Sequence, residues 1–432
     1  MGGVTDQIDA SFRACLLRPF FDLTARLEGP LMNSAPLIAY RSLVDGEPSL
    51  GLQRIVGGAF RENLRLCSGI RGTAVITPLE VSPERRTAEW HHVCELVESY
   101  GQIEIGRRAR LLRLLVYLSF HRLVLALAPR LASHEIAASH DAATIATLRA
   151  VALNVLNAGR RYDTRELVAV VEHAPRHSRS RFYAAVGLLV YHAKITHNLS
   201  FVRRCRETME SYIRPVETRA SDSFAGLMDL SRFYRTASYL HQLEGATDRV
   251  VAEMDLCEEI ARELLTRAES PDEHAIALEN MHPVLESRVR EAEWLGDRAL
   301  ARARMEELVA RDPWDSKVRL EYGELLARDG DLEAAALEFA RAGRYGPPGV
   351  APAHFLAGWC YERLGDHERA VAHQVSALRV DPHGISSCTV LGGSAAAIGL
   401  EPLSRWCEAR SGRARGSGAA AVRRSASEIQ HV

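Results

Sequence analysis

The side chains most suited to chemistry here are histidines that follow a carboxylate at helical spacing. In di-iron helical bundles, a Glu-x-x-His pair supplies two metal ligands from one helix face. Three such pairs occur: Glu89 with His92, Glu279 with His282, and Glu428 with His431. Because the chain has 17 histidines and 55 acidic residues, a few pairs at this spacing are expected by chance. We therefore predict no metal site from the spacing.

The densest group of possible ligands is EWHHVCE, which starts at Glu89 and holds His91, His92 and Cys94. Adjacent residues of a helix point about 100° apart, so two neighbouring histidines rarely share one metal ion. A solvated helix start is the favoured interpretation. Metal bound stoichiometrically and lost on substituting Glu89 or His92 would instead indicate an enzyme.

Motifs of other active sites are missing from the sequence. It contains no H-E-x-x-H, no P-loop, no G-x-G-x-x-G and no G-x-S-x-G, so zinc-protease, phosphate-loop, dinucleotide and serine-hydrolase sites are unsupported. His173 and His177 are four residues apart, but Pro175 should end any helix that would align them. No catalytic residue is predicted and no cofactor is expected.

Composition narrows the class of protein further. With 54 basic and 55 acidic residues the net charge is -1, which predicts neither a nucleic-acid partner nor a membrane partner. Lys194 and Lys317 are the only lysines, and such an arginine excess indicates a GC-rich, bacterial genome. Eight scattered cysteines, without C-x-x-C spacing or a signal-peptide pattern, predict a cytoplasmic protein with reduced thiols.

Most of the sequence that must position these residues shows helical periodicity. Segment 1–87 is of uncertain fold, with a possible strand from Gly72 to Val81. Segment 88–280 has helical patterns separated by short breaks, which predicts degenerate helical hairpins. Its most apolar stretch, Leu111 to Pro129, is interrupted by charge and predicts a buried helix instead of a membrane span. Segment 411–432 is small, polar and basic, so we expect disorder.

A repeat appears beyond residue 281. The tetrapeptides WLGD, RDGD and RLGD begin at Trp294, Arg328 and Arg363, spaced by 34 and 35 residues. Alanine follows each glycine by five residues and proline follows it by seventeen. Self-similarity at this period indicates stacked supersecondary units.

The small residues of one unit have a physical explanation. Gly330 should close the turn between two antiparallel helices, in a conformation that excludes larger residues. Gly323 and Ala335 are expected where the two helices cross closely, with Phe339 filling the space between this hairpin and the next. Pro347 should stop the second helix.

These residues resemble the tetratricopeptide repeat (TPR), over about residues 282–410. The match is good for 316–350 and 351–384 and weaker for 282–315, and a capping unit follows from Ile385. The resemblance implies an all-α fold: an α-solenoid of stacked helical hairpins with TPR-like C-terminal repeats in residues 281–410. It also implies a binding scaffold whose first helices line a concave groove.

The predicted groove residues are those at the positions that line the concave surface in the TPR family. They are Arg290, Lys317, Arg328, Phe355, Trp359 and Arg363, together with Glu293 and Leu320. Cations there would pair with carboxylates, and the aromatic side chains would anchor apolar groups. The alternative is that Trp359 only packs against a neighbouring helix.

Two functions follow from this pattern. The first is a cytoplasmic scaffold or adaptor that binds a protein or peptide partner, with an acidic-aromatic segment as the expected ligand. The second is an enzyme, or an accessory subunit of a biosynthetic pathway, with its active site in the histidine-rich helical region 88–280.

Overall fold

The predicted all-α class is confirmed, since every regular element in the described ranges is helical. The computed structural model describes residues 34–46, 88–118, 120–157, 162–220, 223–345 and 349–417. The possible strand from Gly72 to Val81 lies outside these ranges, as does most of segment 1–87. The chain divides into two compact units, residues 1–312 and 313–432, which we call the N-terminal and C-terminal units.

The described part of the N-terminal unit contains α-helices and one π-helical turn, His192–Thr196. Its α-helices are α1 (Ser34–Asp45), α2 (Ala88–Glu98), α3 (Ile105–Tyr117), α4 (His121–Leu127), α5 (Ser133–Ala138), α6 (His140–Leu156), α7 (Arg165–His173), α8 (Arg179–Tyr191), α9 (Leu199–Ala220), α10 (Phe224–Leu243), α11 (Thr247–Arg267), α12 (Pro271–Leu295) and α13 (Arg298–Arg311). The C-terminal unit contains α14 (Ser316–Arg328), α15 (Leu332–Tyr345), α16 (Val350–Arg363), α17 (His367–Val380), α18 (Ile385–Ala397) and α19 (Glu401–Ser417).

Within each unit the helices stack in two layers. In the N-terminal unit α6 packs against α8, α8 against α10, and α10 against α12, whereas the described parts of α9, α11 and α13 make no comparable contact with one another. In the C-terminal unit α16 likewise packs against α18. Helices on the inside of a curved stack approach one another most closely. The first helices of the hairpins therefore form the inner layer, and α14 holds the equivalent place in its own hairpin.

The boundaries of α12 show how local sequence defines these elements. Ser270 caps its start by accepting from the Glu273 amide at 3.1 Å, and Glu273 bonds back to the Ser270 amide, which is a capping box. Gly296 ends the helix in a left-handed conformation with φ 78°. The helix continues through Pro283, so the boundary predicted at residue 280 falls inside α12. Contacts divide the chain at Asp312 instead.

The apolar stretch from Leu111 to Pro129 forms two helices, not the single predicted helix. The amide of Phe120 donates to the carbonyl of Leu115 at 2.8 Å, a wider closure than the usual helical bond, and the chain turns there between α3 and α4. The stretch is buried as predicted, with Leu111 and Phe120 both fully inaccessible. None of the helices described is long and apolar enough to cross a membrane.

The recurring Gly-Asp pairs form the turns of the C-terminal hairpins. Gly330 has φ 86°, a left-handed conformation that glycine adopts without penalty, as predicted. The adjacent Asp331 accepts from the Ala334 amide at 3.3 Å and so caps the start of α15. Gly365 and Asp366 repeat the arrangement. The aspartate of each pair therefore has a role of its own.

The first seven residues of segment 411–432, for which disorder was predicted, belong to a helix. Helix α19 continues to Ser417, and Ser404, Cys407 and Ser411 are buried along one of its faces. Small residues suggested disorder in the sequence, but at three- and four-residue spacing they allow close packing. Residues 418–432 lie outside the described ranges.

Candidate ligand-binding surfaces

Five of the predicted groove residues lie on first helices of the C-terminal unit. We call the set Lys317, Arg328, Phe355, Trp359 and Arg363 the C-terminal groove. Phe355 and Trp359 are one turn apart on α16, and both are half-buried. The guanidinium carbon of Arg363 lies 4.8 Å from the centre of the Trp359 ring, within cation–π range. An inner helix thus carries two partly accessible aromatic rings beside a cation.

The two cations of α14 are exposed, and each contacts a residue of its own helix. The ammonium of Lys317 is 3.4 Å from a carboxylate oxygen of Glu321. The Nε of Arg328 donates to the carbonyl of Glu324 at 3.4 Å. Contacts of this kind contribute little to stability because water competes for both partners.

A buried amide holds the backbone beneath these aromatic rings. Gln374 on α17 is fully inaccessible, and its Nε2 donates to the carbonyl of Phe355 at 3.0 Å. A Cβ on Gly358 would lie 2.6 Å from this nitrogen, so glycine is what lets α17 approach. The inner helix α16 is therefore fixed to its outer partner at the position of the groove.

A histidine pair provides a second link between α16 and α17. The Nδ1 atoms of His354 and His373 are 3.1 Å apart, so one ring donates and the other accepts. Burial lowers the pKa of both imidazoles, and the proximity of His354 and Arg369 helps to lower the pKa of His373 to about 4. The pair is therefore neutral near pH 7.

Arg290, the sixth predicted groove residue, belongs to the N-terminal unit. It is half-buried on inner helix α12, with Glu293 also half-buried nearby. The predicted residues thus belong to two compact units. Arg290 acts on Tyr239 of α10, which the sequence analysis did not single out.

Around Tyr239 the inner layer gathers several cations. We call Lys194, Arg235, Tyr239 and Arg290 the Tyr239 cluster. The ammonium of Lys194 lies 4.9 Å from the centre of the Tyr239 ring. Burial opposes a lower pKa for Tyr239, but Lys194, Arg290 and Arg235 lower it nonetheless. The sequence signal was the spacing of Arg232, Arg235 and Tyr239, which places all three on one face of α10.

Nearby, a buried carboxylate organises a polar network between inner helices. Asp229 is 2% exposed, and Arg179 donates to it through two nitrogens at 3.1 and 3.0 Å. The hydroxyls of Tyr183 and Tyr212 donate to the same carboxylate at 3.0 and 2.9 Å. The guanidinium carbon of Arg232 stands 4.2 Å from the centre of the Tyr183 ring. The charges of Arg179 and Asp229 thus compensate each other within the protein.

The histidine motifs of residues 88–280 form no shared site that the structure records. His92 is engaged through its Nε2, which lies 2.9 Å from a guanidinium nitrogen of Arg107. His173 is the last residue of α7, and His177 lies in the loop before α8, as Pro175 predicted. The active-site alternative for this region stays a prediction.

Comparisons with known proteins bear on the architecture alone. A scan of protein-family models gives no match, and neither does a search of curated proteins. Similar solved structures include MamA, with 14% identity, 44% of this chain and 94% of that chain covered, and TM-score 0.35. YrrB, titled a TPR protein with an unusual peptide-binding site, shows 16% identity, coverage of 52% and 97%, and TM-score 0.30. The human IFIT1 dimer with PPP-AAAA shows 12% identity, coverage of 94% and 99%, and TM-score 0.38.

The predicted resemblance to TPR proteins is confirmed at the level of hairpin architecture. Gly296, Gly330 and Gly365 have positive φ where the repeat pattern puts a turn. The capping aspartates and the glycines at the helix crossings also lie where the pattern puts them. At such low sequence identity, these similarities show a shared way of stacking helices and say nothing about a ligand of this chain.

Proposed function

We propose that this protein is a scaffold or adaptor whose C-terminal groove binds an acidic segment with an aromatic residue from a partner protein. Phe355 and Trp359 would receive the aromatic residue, while Lys317, Arg328 and Arg363 would pair with carboxylates on either side of it. The observation that carries the proposal is the pair of half-buried rings, one turn apart, on an inner helix beside Arg363.

Charge and rigidity support this choice of ligand. The three groove cations lie at the start of α14 and at the ends of α14 and α16, on either side of the aromatic pair along the chain. Arginine binds carboxylates through a planar fork, which adds geometric specificity. Because Gln374 fixes the backbone at Phe355, the aromatic platform needs little ordering when a ligand arrives, which limits the entropic cost of binding.

The six described cysteines are unbonded and buried. Free thiols are typical of a reducing compartment, so they support a cytoplasmic setting for the scaffold.

Selection from a random peptide-display library against the full chain tests the proposal. Enriched peptides should combine Asp or Glu with Phe, Tyr or Trp. For a synthetic peptide of the enriched sequence, fluorescence anisotropy should show about 30-fold weaker binding to Trp359→Ala, as expected for an aromatic hot spot. The double variant Arg328→Glu with Arg363→Glu should also bind weakly.

Arg379→Glu is the matched control, because Arg379 is equally exposed but lies on outer helix α17. It should leave affinity unchanged, and circular dichroism should show that every variant is folded. Enriched peptides without acidic residues, or equal affinity for the groove variants and the control, would rule the proposal out.

A further inference from the structure

Arg235 of α10 is half-buried and has no carboxylate partner among the described residues. Its Nε is fully buried without a hydrogen-bond partner, and no described carboxylate forms an ion pair with its guanidinium. Burial lowers the pKa of Arg235, and the carboxylate that acts on it from a distance is Glu286. A buried donor without a partner is unfavourable, so a ligand that accepts a hydrogen bond from this Nε would remove that cost.

Other arginines of the same unit show what structural pairing looks like here. Arg179 makes two hydrogen bonds to Asp229. Arg206 lies 2.6 Å from Glu253 and 2.9 Å from Glu210. Arg288 contacts Glu258 at 3.0 Å and Glu291 at 2.8 Å. Among the described residues, Arg235 lacks such a carboxylate, as do Arg110 and Arg181, whose Nε atoms are also buried without a partner. Of these three arginines, Arg235 is the one that acts on Tyr239 together with Lys194.

The backbone that carries Lys194 is also unusual. Lys194 lies in the π-helical turn, and π-helical turns occur frequently at functional sites. The turn ends at His197, which has φ 49° and is the one positive-φ residue other than glycine among those described. A left-handed conformation costs such a residue about 1 kcal/mol or more. This conformation places the Lys194 ammonium against Tyr239, 4.9 Å from the ring centre.

We propose that the Tyr239 cluster binds a phosphate monoester. Lys194, Arg235 and Arg290 would supply positive charge and hydrogen bonds, and the Tyr239 hydroxyl would donate to a phosphate oxygen. Two of these cations, Lys194 and Arg235, form no ion pair with a described carboxylate. A dianion matches these two positive charges better than a single carboxylate does. Arginine forks and a lysine point charge are both established phosphate binders.

The phosphate group could belong to a free metabolite or to a phosphorylated side chain of a partner protein. Both present the same dianion to the cluster. The site lies in the N-terminal unit, whereas the proposed peptide groove lies in the C-terminal unit, so either can fail without the other. Trp359→Ala should leave phosphate binding unchanged, and Arg235→Gln should leave peptide binding unchanged.

Isothermal titration calorimetry of the full chain provides the test, with inorganic phosphate, glycerol phosphate and a blocked phosphoserine peptide as probes. Inorganic phosphate should bind, and succinate should bind at least about tenfold more weakly. A preference for glycerol phosphate assigns the site to metabolites, and a preference for the peptide assigns it to a phosphorylated partner. Loss of one charge-assisted bond in Arg235→Gln should weaken phosphate binding by at least about tenfold.

Two further variants separate binding from folding. Exposed Lys194→Gln should weaken phosphate binding to a similar degree without a change in fold. Arg235→Met should keep or raise the melting temperature while phosphate binding is lost, because it removes a buried Nε that has no hydrogen-bond partner. The control Arg379→Gln should bind phosphate as the wild type does. Absence of phosphate binding at millimolar concentration, equal binding by Arg235→Gln, or a lower melting temperature for Arg235→Met would overturn the proposal.

Discussion

Gly323 and Phe339 form the closest crossing between the helices of one C-terminal hairpin, and adding a single methyl group there tests the repeat register. A Cβ on Gly323 would lie 2.6 Å from both Cδ1 and Cε1 of Phe339 and 3.1 Å from Cγ. Carbon atoms in contact are separated by about 3.5–4.0 Å. The Phe339 ring would therefore have to move by about 1 Å. It is 1% exposed and enclosed by Leu326, Ala357 and neighbouring residues of its cluster.

The magnitude follows from two opposing effects. Overpacking a filled core costs about 1–3 kcal/mol, while alanine in place of glycine favours a helix by about 1 kcal/mol. Gly323→Ala should thus destabilise this hairpin by roughly 0–2 kcal/mol. In a Phe339→Leu background the ring is gone, and the same change should stabilise by up to about 1 kcal/mol. The coupling between the two sites should be about 1–3 kcal/mol.

Native-state hydrogen exchange, followed by mass spectrometry in peptides from residues 316–345, measures the local opening free energy. It reports on this hairpin even if the two units unfold separately. Gly393→Ala is the matched control, since Gly393 lies inside α18 with nothing within 4 Å of an added Cβ. It should stabilise its own hairpin by about 1 kcal/mol. If no ring lay against it, Gly323→Ala would stabilise its hairpin as much as the control does. That result, or additivity of the Gly323→Ala and Phe339→Leu effects within about 0.5 kcal/mol, would show that the helices do not cross as described.

Two further predictions concern pH, with exchange of the local peptides as the readout. Because the pKa of His373 is lowered to about 4 from its ordinary 6.5, the unfolded chain binds the proton first, and stability should fall as pH drops from about 6.5 to 4. His373→Gln should reduce this acid sensitivity in α16 and α17, whereas exposed His383→Gln should not; equal profiles would contradict the pair geometry. Burial, reinforced by nearby Asp255 and Glu258 against the opposing effect of Arg288, raises the pKa of Glu291 from 4.5 to about 7, so stability around α12 should fall as pH rises through that window. Glu291→Gln should remove the loss between about pH 4.5 and 7, and a variant that still loses protection across this range would show that the Arg288 pair outweighs burial.

Much of the C-terminal unit could be predicted because its signals are local. The Gly-Asp turns depend on the conformation of one glycine and one capping side chain. The close crossing at Gly323 follows from residue size at a repeated position. The stretch from Leu111 to Pro129 was harder to predict. Its apolar character alone cannot show that the Phe120 amide bonds to the carbonyl five residues earlier, where α3 ends and a new helix starts.

The candidate site of the N-terminal unit was harder to predict from the sequence, because its residues come from distant segments of the chain. Lys194, Arg235 and Arg290 lie on a π-helical turn, α10 and α12, and each alone looks like an ordinary surface cation. Nothing in the sequence near Arg235 says that it lacks a carboxylate. Only Arg290 was selected in advance, because the repeat pattern extends weakly to that position.

By itself, the sequence determined that this protein is helical, that its C-terminal hairpins repeat, and where their turns lie. These properties depend on interactions between residues a few positions apart, so spacing and residue type are enough to specify them. The tertiary structure decided which helices form the inner layer, that Arg363 stacks on Trp359 there, and that the Nε of Arg235 is buried without a hydrogen-bond partner. Those outcomes depend on how successive hairpins stack and on which side chains the stacking removes from water. Contacts between residues far apart in the chain set both.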